Sequence, residues 1–172
     1  DADLKMTMMG TVFGAVGTCG QRCTSTRRLI VHEKVYDKVK DSLIKAYNQI
    51  KIGDPLDSKN HVGPLIDKTA VESYKNAISQ VNDQGGIWLV EGEVLSGEKY
   101  KSGCYVKPAI AEVNHSLKIV HQETFAPILY LIKYSGDIQN AIEIQNEVDQ
   151  GLSSAIMTNN LKEAETFLSM IL

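Results

Sequence analysis

The sequence predicts an α/β fold, a three-layer sandwich in which helices cover both faces of a mostly parallel sheet. Apolar β-rich runs alternate with helical patterns along the 172 residues, and strands joined through helices pair in parallel. Hydrophobic residues make up 43% of the chain and charged residues 23%, the balance of an ordinary globular domain. A chain of this length buries roughly two-thirds of the surface that its unfolded form exposes. We therefore expect one domain over residues 1–172.

Five helices are predicted from apolar spacing and from capping residues. The first covers residues 5–18 and is rich in small side chains that permit close packing. In the second, apolar residues recur at helical spacing over residues 35–50, which indicates one buried face. The last three begin after polar N-caps, which satisfy free backbone N–H groups at a helix start. These caps are Asp67, Asp137 and Asn160, the last in a capping box with Glu163.

Strands are predicted at residues 29–32, 87–90, 105–113, 128–134 and 152–157. The run 128–134 is continuous and β-rich, which favours a central strand. Pro108 falls inside the third run, and proline cannot donate a hydrogen bond to a strand ladder. We therefore expect the strand over residues 105–113 at a sheet edge or at a bulge.

Charge and hydropathy argue against two classes of function. The net charge of −3 leaves no basic patch, so no nucleic-acid partner is expected. No apolar run approaches the roughly 20 residues of a membrane helix, so no membrane partner is expected either. Three cysteines at irregular spacings argue against a disulfide framework. Since no signal or transit peptide is visible at the start, we predict the cytoplasm or the mitochondrial matrix.

Residues 20–24 read GQRCT and contain the most informative side chain, Cys23. This cysteine follows a glycine in a turn between the first helix and the first strand, and loops carry a disproportionate share of catalytic groups. Arg22, Arg27 and Arg28 are near in sequence, and a positive charge close to a thiol favours the nucleophilic thiolate. The alternative, from the residues alone, is that Cys23 is a small buried apolar side chain.

The other cysteines and the histidines leave further alternatives. Cys19 is close enough in sequence to pair with Cys23 on a metal or by oxidation. No second Cys or His pair has zinc-finger spacing, so no metal site is predicted. Cys104 is expected in the core. Histidines at positions 32, 61, 115 and 121 keep a cysteine hydrolase open, because that chemistry needs a histidine adjacent in space.

Five short motifs, taken in order, resemble those of the aldehyde dehydrogenase superfamily. They span nearly the whole chain, and the arginine before the cysteine is most similar to the antiquitin subgroup. Ala126 departs from the pattern, because it stands where the superfamily usually has glycine. The resemblance implies a fold of the aldehyde dehydrogenase catalytic-domain type. The motifs are residues 1–4 (DADL), 20–24 (GQRCT), 63–66 (GPLI), 122–127 (QETFAP) and 151–154 (GLSS).

The resemblance also implies NAD-dependent oxidation of an aldehyde, with NADP not excluded. Cys23 would attack the aldehyde to form a thiohemiacetal, which loss of hydride converts to a thioester. Glu123 would hydrogen-bond the nicotinamide ribose, although by itself it reads as a surface acid, and Phe125 would pack near the nicotinamide. Arg22 and Thr24 would contact the substrate, and the Arg22 guanidinium suits the carboxylate of an α-amino acid semialdehyde such as α-aminoadipic semialdehyde.

The two ends of the sequence predict a piece of a longer protein. Asp1 is not an initiator methionine, and the last residues, 169–172, lie inside an uncapped helical pattern. In the superfamily, the cofactor-binding fold, a general-base glutamate and an oxyanion asparagine precede the cysteine. We therefore expect residues 1–172 to be most of the catalytic domain of a homo-oligomeric parent and to be inactive in oxidation alone. The alternatives are a non-catalytic partner-binding domain and a cysteine hydrolase that uses Cys23.

Overall fold

A computed structural model describes residues 1–169 of the chain. One helix and one strand are followed by two helices, three strands and two further helices, so the alternation of helices and strands that the sequence predicts is only partial. The predicted continuation of the last helix over residues 170–172 lies outside the described residues. The helices are Leu4–Val16 (α1), Glu33–Tyr47 (α2), Lys68–Asp83 (α3), Ile138–Asn146 (α4) and Leu161–Ser169 (α5). The strands are Arg28–His32 (β1), Ile87–Val90 (β2), Ala109–Glu112 (β3) and Ile128–Tyr134 (β4).

The four strands form one sheet in the order β1-β4-β3-β2. β4 lies between β1 and β3 and pairs with both in parallel, whereas β2 pairs with β3 antiparallel. Consecutive residues of a strand face opposite sides of a sheet, yet every residue from 128 to 132 is buried. Both faces of β4 are therefore covered, which confirms the mostly parallel α/β class and the central place of residues 128–134.

Two strand predictions were wrong. The strand predicted over residues 105–113 begins only after Pro108, and β3 lies inside the sheet and not at an edge. The register irregularity in the pairing of β3 with β2 falls at Trp88–Val90 and not at Pro108. Because proline has no N–H, the ladder starts at Ala109, whose N–H donates to the Pro127 carbonyl oxygen over 2.9 Å. Residues 152–157 form no strand within the described chain. They face β1 across a cleft, so the two backbones are not hydrogen-bonded into a ladder.

The predicted N-caps are confirmed. Asp67 accepts a hydrogen bond from the Ala70 N–H over 2.8 Å, and Asp137 accepts one from the Gln139 N–H over 3.1 Å. Asn160 caps α5, as its Oδ1 accepts the Lys162 N–H over 3.0 Å.

The capping box predicted for Asn160 and Glu163 is only half formed. In a complete capping box the Glu163 side chain would accept the Asn160 N–H. Here that N–H donates to Thr158 Oγ1 over 3.0 Å instead. The Thr158 hydroxyl in turn donates to Glu163 Oε2 over 2.8 Å.

The core consists of the sheet and the buried faces of α1, α2 and α3. In α2, Val39, Leu43 and Tyr47 are buried as the predicted apolar spacing indicates, but Tyr36 is buried in place of the half-buried Val35, and the helix ends before Ile50. Cys104 is also buried, as expected. Among helices within residues 1–169, none has the length and apolar content that crossing a bilayer requires.

Candidate active site

The chain leaves α1 through a left-handed turn that leads to Cys23. Thr18, Cys19 and Gly20 have φ angles of 55°, 53° and 66°. This conformation costs about 1–2 kcal/mol for a residue with a Cβ, so packing must hold it in place. The Cys19 side chain supplies some of that packing, because it is only 1% exposed.

Residues 22–25 form a tight turn with Cys23 and Thr24 at its tip. The Ser25 N–H donates to the Arg22 carbonyl oxygen over 3.0 Å, and the Arg22 N–H donates to Ser25 Oγ over the same distance. Ser25 is buried, whereas Cys23 and Thr24 are exposed. Cys23 is therefore an accessible thiol on a loop and not a buried apolar side chain. We call residues 18–25 the cysteine turn.

Burial separates Cys19 from Cys23 chemically. Burial raises the pKa of the Cys19 thiol to about 12, so this sulfur stays protonated at neutral pH and is a poor nucleophile. All three cysteines are free thiols. In the range that the structure covers, residues 1–169, no group of three or more His, Cys, Asp or Glu side chains is arranged to hold a metal ion.

Arg22 packs against the helix that precedes it. Its guanidinium lies over the Phe13 ring, 4.5 Å from the ring centroid, and donates to the Phe13 carbonyl oxygen. Gly17 makes room for this group, since a Cβ there would lie 2.4 Å from Arg22 Nη2. Arg22 therefore fastens the tip of the cysteine turn to α1.

Arg27 connects the cysteine turn to a distant segment. Its Nη1 donates to the carbonyl oxygens of Gly20 at 3.2 Å, Thr124 at 2.6 Å and Ala126 at 3.4 Å. Its Nη2 donates to the Arg22 carbonyl oxygen at 3.4 Å. One guanidinium thus holds backbone atoms of the cysteine turn and of residues 122–127, which we call the Glu123 segment.

The same guanidinium contacts both candidate cofactor-binding residues. Arg27 Nη2 is 3.6 Å from Glu123 Oε1, and the guanidinium carbon is 5.1 Å from the Phe125 ring centroid. Burial lowers the pKa of Arg27, while the negative charge of Glu123 opposes that shift. Glu123 and Phe125 remain partly open to solvent, since the Glu123 side chain is 49% exposed and Phe125 is 42% exposed.

Arg28 has a different role from its neighbour. Its two terminal nitrogens donate to the Ile144 and Gln145 carbonyl oxygens at 3.0 and 2.9 Å, which fastens β1 to the end of α4. Within residues 1–169, no hydrogen bond or ion pair of Arg22, Arg27 or Arg28 goes to the Cys23 side chain. Arg22 and Arg27 therefore organise the backbone around the thiol without contacting its sulfur, whereas Arg28 acts at α4.

Gln21 links the cysteine turn to a third motif. Its Oε1 accepts the Ile66 N–H over 2.9 Å, in the loop over residues 63–66. A cleft of about 400 Å³ opens where this loop, α3 and the Glu123 segment meet, and Glu123 and Phe125 line it. Three of the five motifs therefore converge on one region.

The remaining two motifs line a larger cleft of about 720 Å³. Cys23, Thr24 and Glu123 line it together with residues from both 1–4 and 152–154. Gln122 and Glu123 line both clefts, so the two cavities meet at the Glu123 segment. The structure thus places the exposed thiol and the Glu123 carboxylate at the same cleft.

The histidines are engaged elsewhere. His32 Nδ1 accepts the Lys34 N–H at the start of α2, and His61 Nδ1 accepts the Lys51 N–H. The rings of His115 and His121 contact Glu147 at 2.7 and 3.2 Å. Across the described residues, no histidine hydrogen-bonds Cys23, so this range contains no preformed Cys–His pair.

Sequence reasoning missed the two connecting side chains, Gln21 and Arg27. The signal for Arg27 was the arginine pair at the start of a strand, because successive strand side chains point to opposite faces. Arg27 and Arg28 are therefore expected to have different partners. For Gln21, no comparable signal is present in the sequence.

Known proteins are similar to this chain in sequence and in fold. The chain matches the aldehyde dehydrogenase family over residues 1–171. It is 50% identical over 165 residues to the Caenorhabditis elegans homolog of aldehyde dehydrogenase family 7 member A1, covering 94% of this chain and 30% of that protein. It is 45% identical over 162 residues to α-aminoadipic semialdehyde dehydrogenase of Mus musculus, and this match covers 94% of this chain and 29% of that protein.

Solved structures agree with these relatives. The chain superimposes on 3,6-anhydro-L-galactose dehydrogenase, solved in complex with NAP, with a TM-score of 0.95 and 29% identity, covering 99% of this chain and 36% of that one. The chain belongs to the aldehyde dehydrogenase family. Its curated relatives confirm the predicted similarity to the antiquitin subgroup. The chain spans about 30% of the length of those relatives.

Proposed function

We propose that this chain is most of the catalytic domain of a longer NAD-dependent aldehyde dehydrogenase, in which Cys23 is the nucleophile. The observation that carries the proposal is the exposed Cys23 thiol at a cleft that Glu123 also lines. Family membership supports aldehyde oxidation as the reaction class. We propose residues outside this chain as the source of the cofactor-binding fold and of the general-base glutamate.

The first step is attack of the Cys23 thiolate on the aldehyde carbon. A carbon–sulfur bond forms, the carbonyl double bond becomes single, and the oxygen carries the negative charge of a thiohemiacetal. In residues 1–169 the Cys23 N–H has no hydrogen-bond acceptor, so it is free to donate to this oxygen. One such donor is worth a factor of roughly 100 to 1,000 in rate.

Glu123 and Phe125 fit a nicotinamide nucleotide. A carboxylate accepts two hydroxyl protons, which suits the two hydroxyls of a ribose, and Glu123 is fixed on one side by Arg27 and open on the other. The exposed Phe125 ring offers a flat apolar surface beside it. The chemistry that NAD supplies when bound is acceptance of the hydride from the thiohemiacetal carbon. The 3,6-anhydro-L-galactose dehydrogenase complex with NAP supports a pyridine nucleotide and leaves NADP open.

Loss of hydride leaves the acyl group on Cys23 as a thioester. Water then adds to the acyl carbon, and the carbon–sulfur bond breaks to give the carboxylate and the free thiol. The activating base for this water is proposed to be the glutamate outside this chain.

The proposed substrate is an α-amino acid semialdehyde such as α-aminoadipic semialdehyde, with Arg22 and Thr24 as its contacts. Thr24 lines the Cys23 cleft, whereas the Arg22 guanidinium rests on Phe13 and would turn from there to reach the substrate carboxylate. The name of the Mus musculus relative supports this choice. Arg22 and Thr24 flank Cys23 in the same tight turn, and a guanidinium pairs well with a carboxylate.

The experiment that tests the proposal is NADH production by the full-length protein that carries this chain. With α-aminoadipic semialdehyde and NAD, we expect turnover that Cys23→Ser abolishes and that Cys104→Ala leaves largely intact. The 172-residue chain by itself should produce no NADH. Steady NADH production by that chain, abolished by Cys23→Ser, would overturn the assignment as part of a catalytic domain.

A further inference from the structure

We propose that Arg27 is a positioning residue that fixes the spacing between the Cys23 nucleophile and the Glu123 segment, which would hold the cofactor. The inference rests on the proposed function. Arg27 touches neither the reacting carbon nor the thiol in this scheme. It acts through the backbone of the two segments that carry the reacting groups.

The contacts of Arg27 are divided between those two segments. Gly20 and Arg22 accept its hydrogen bonds inside the cysteine turn. Thr124 and Ala126, which are 97 and 99 residues away in sequence, accept its hydrogen bonds in the Glu123 segment. Because the guanidinium is a rigid planar group, simultaneous bonds to both sides set the distance between them.

The charge of Arg27 also orients Glu123. A largely buried cation needs a compensating charge, and Glu123 is its anionic partner within residues 1–169. The ion pair uses Glu123 Oε1. Within residues 1–169, Glu123 Oε2 has no hydrogen-bond partner. Arg27 thus turns one oxygen of the carboxylate inward and leaves the other for a hydroxyl-bearing ligand.

Arg27 supports the strained part of the cysteine turn as well. Thr18, Cys19 and Gly20 form the left-handed turn, and the Arg27 bond to the Gly20 carbonyl oxygen is one of the contacts that hold it. Without that bond the turn is free to relax toward ordinary backbone angles. Such a relaxation would move Cys23, which lies three residues further along the chain.

Positioning of reacting groups has large kinetic consequences. A displacement of 1 Å can lower a rate about 100-fold even when the chemical groups are unchanged. The step that depends on the Cys23–Glu123 spacing is hydride transfer. Acylation of Cys23 by an activated ester, in which the sulfur displaces p-nitrophenolate, needs no cofactor and does not depend on that spacing.

The kinetic test compares these two reactions in the full-length protein. For Arg27→Ala, we expect the NADH turnover rate to fall about 10- to 100-fold and the KM for NAD to rise several-fold. The burst of p-nitrophenolate from p-nitrophenyl acetate should change less than about 3-fold. Arg27→Lys should resemble Arg27→Ala, because a single ammonium cannot reach carbonyl oxygens on both segments.

Arg28→Ala is the matched control. It also removes a partly buried guanidinium that donates to two carbonyl oxygens, but those belong to α4. We expect it to change both reactions by the same small factor. The positioning role would be overturned if Arg27→Ala and Arg27→Lys lowered NADH turnover and the ester burst by the same factor, and if that factor matched the one for Arg28→Ala.

Hydrogen exchange in the cofactor-free protein gives a readout independent of catalysis. The Ser25 and Ala126 amides are hydrogen-bonded within the two segments that Arg27 joins. In both Arg27 variants we expect faster exchange at both amides, with no such change in Arg28→Ala. Unchanged exchange would overturn the proposal. If the wild-type protein makes no NADH, the proposed function fails, while exchange still decides whether Arg27 couples the segments.

Discussion

Gly20 lies directly against the backbone of Ala126. A Cβ on Gly20 would be 2.6 Å from the carbonyl carbon and oxygen of Ala126, and also 2.6 Å from the Pro127 nitrogen. Ala126 itself is 1% exposed. The glycine of the cysteine motif is therefore needed for contact with the Glu123 segment, and the alanine in place of the usual glycine is accommodated as a buried side chain.

Gly20→Ala should destabilise the protein by more than about 2 kcal/mol. The left-handed φ costs about 1–2 kcal/mol with a Cβ, and the overlap with the Ala126 backbone adds to that. Gly85→Ala is the control, since Gly85 has a φ of 82° but no atom lies within 4 Å of the position that a Cβ would take there. Urea unfolding measures both variants, and equal losses would mean that the close approach contributes nothing.

Cys23 should be the thiol that reacts first with limiting iodoacetamide near neutral pH. It is exposed, whereas Cys104 is 9% exposed and Cys19 is 1% exposed with a raised pKa. Reaction requires both access and a thiolate. Peptide mass spectrometry identifies the modified residue, and earlier labelling of Cys104 would contradict the assignment.

Cys19 should make the stability fall with rising pH above about 9. Its pKa is raised from 9.0 to about 12 in the folded protein, so unfolding releases this proton in that range. The free energy of unfolding then drops by at most about 1.4 kcal/mol per pH unit. Urea unfolding from pH 8 to 10.5 measures this effect. The free energy of unfolding should decline less steeply with pH in Cys19→Ala than in the wild type, and the decline that remains comes from the tyrosines, which still titrate. Parallel curves for the two proteins would rule this contribution out.

The last helix, α5, should be the least protected element in hydrogen exchange. Leu161 is 75% exposed and Leu168 is 60% exposed, while Phe167 is the buried residue of this helix. Local opening is easiest where few apolar contacts are buried. Exchange by mass spectrometry should show faster uptake in residues 161–169 than in β4. Equal protection of these two elements would show the prediction to be wrong.

Local signals decided most of the secondary structure. The N-cap residues Asp67 and Asp137 start their helices because the capping oxygen and the N–H groups it serves are adjacent in sequence. The strand over residues 128–134 follows from a continuous run of β-rich apolar residues. Pro108 led to a wrong prediction for the strand over residues 105–113. A proline shows where hydrogen bonding to a neighbouring strand is interrupted, but it does not show which strands lie on either side.

The sequence by itself determined the fold class, the family and the presence of Cys23 on a turn, because each depends on residues close together in the chain. Only the tertiary structure decided that Arg27 joins the cysteine turn to the Glu123 segment, and that Arg28 does not. Residues 97 apart in sequence meet only after β1 and β4 pair in the sheet. Such contacts depend on distance and direction in space, which neither composition nor spacing along the chain contains.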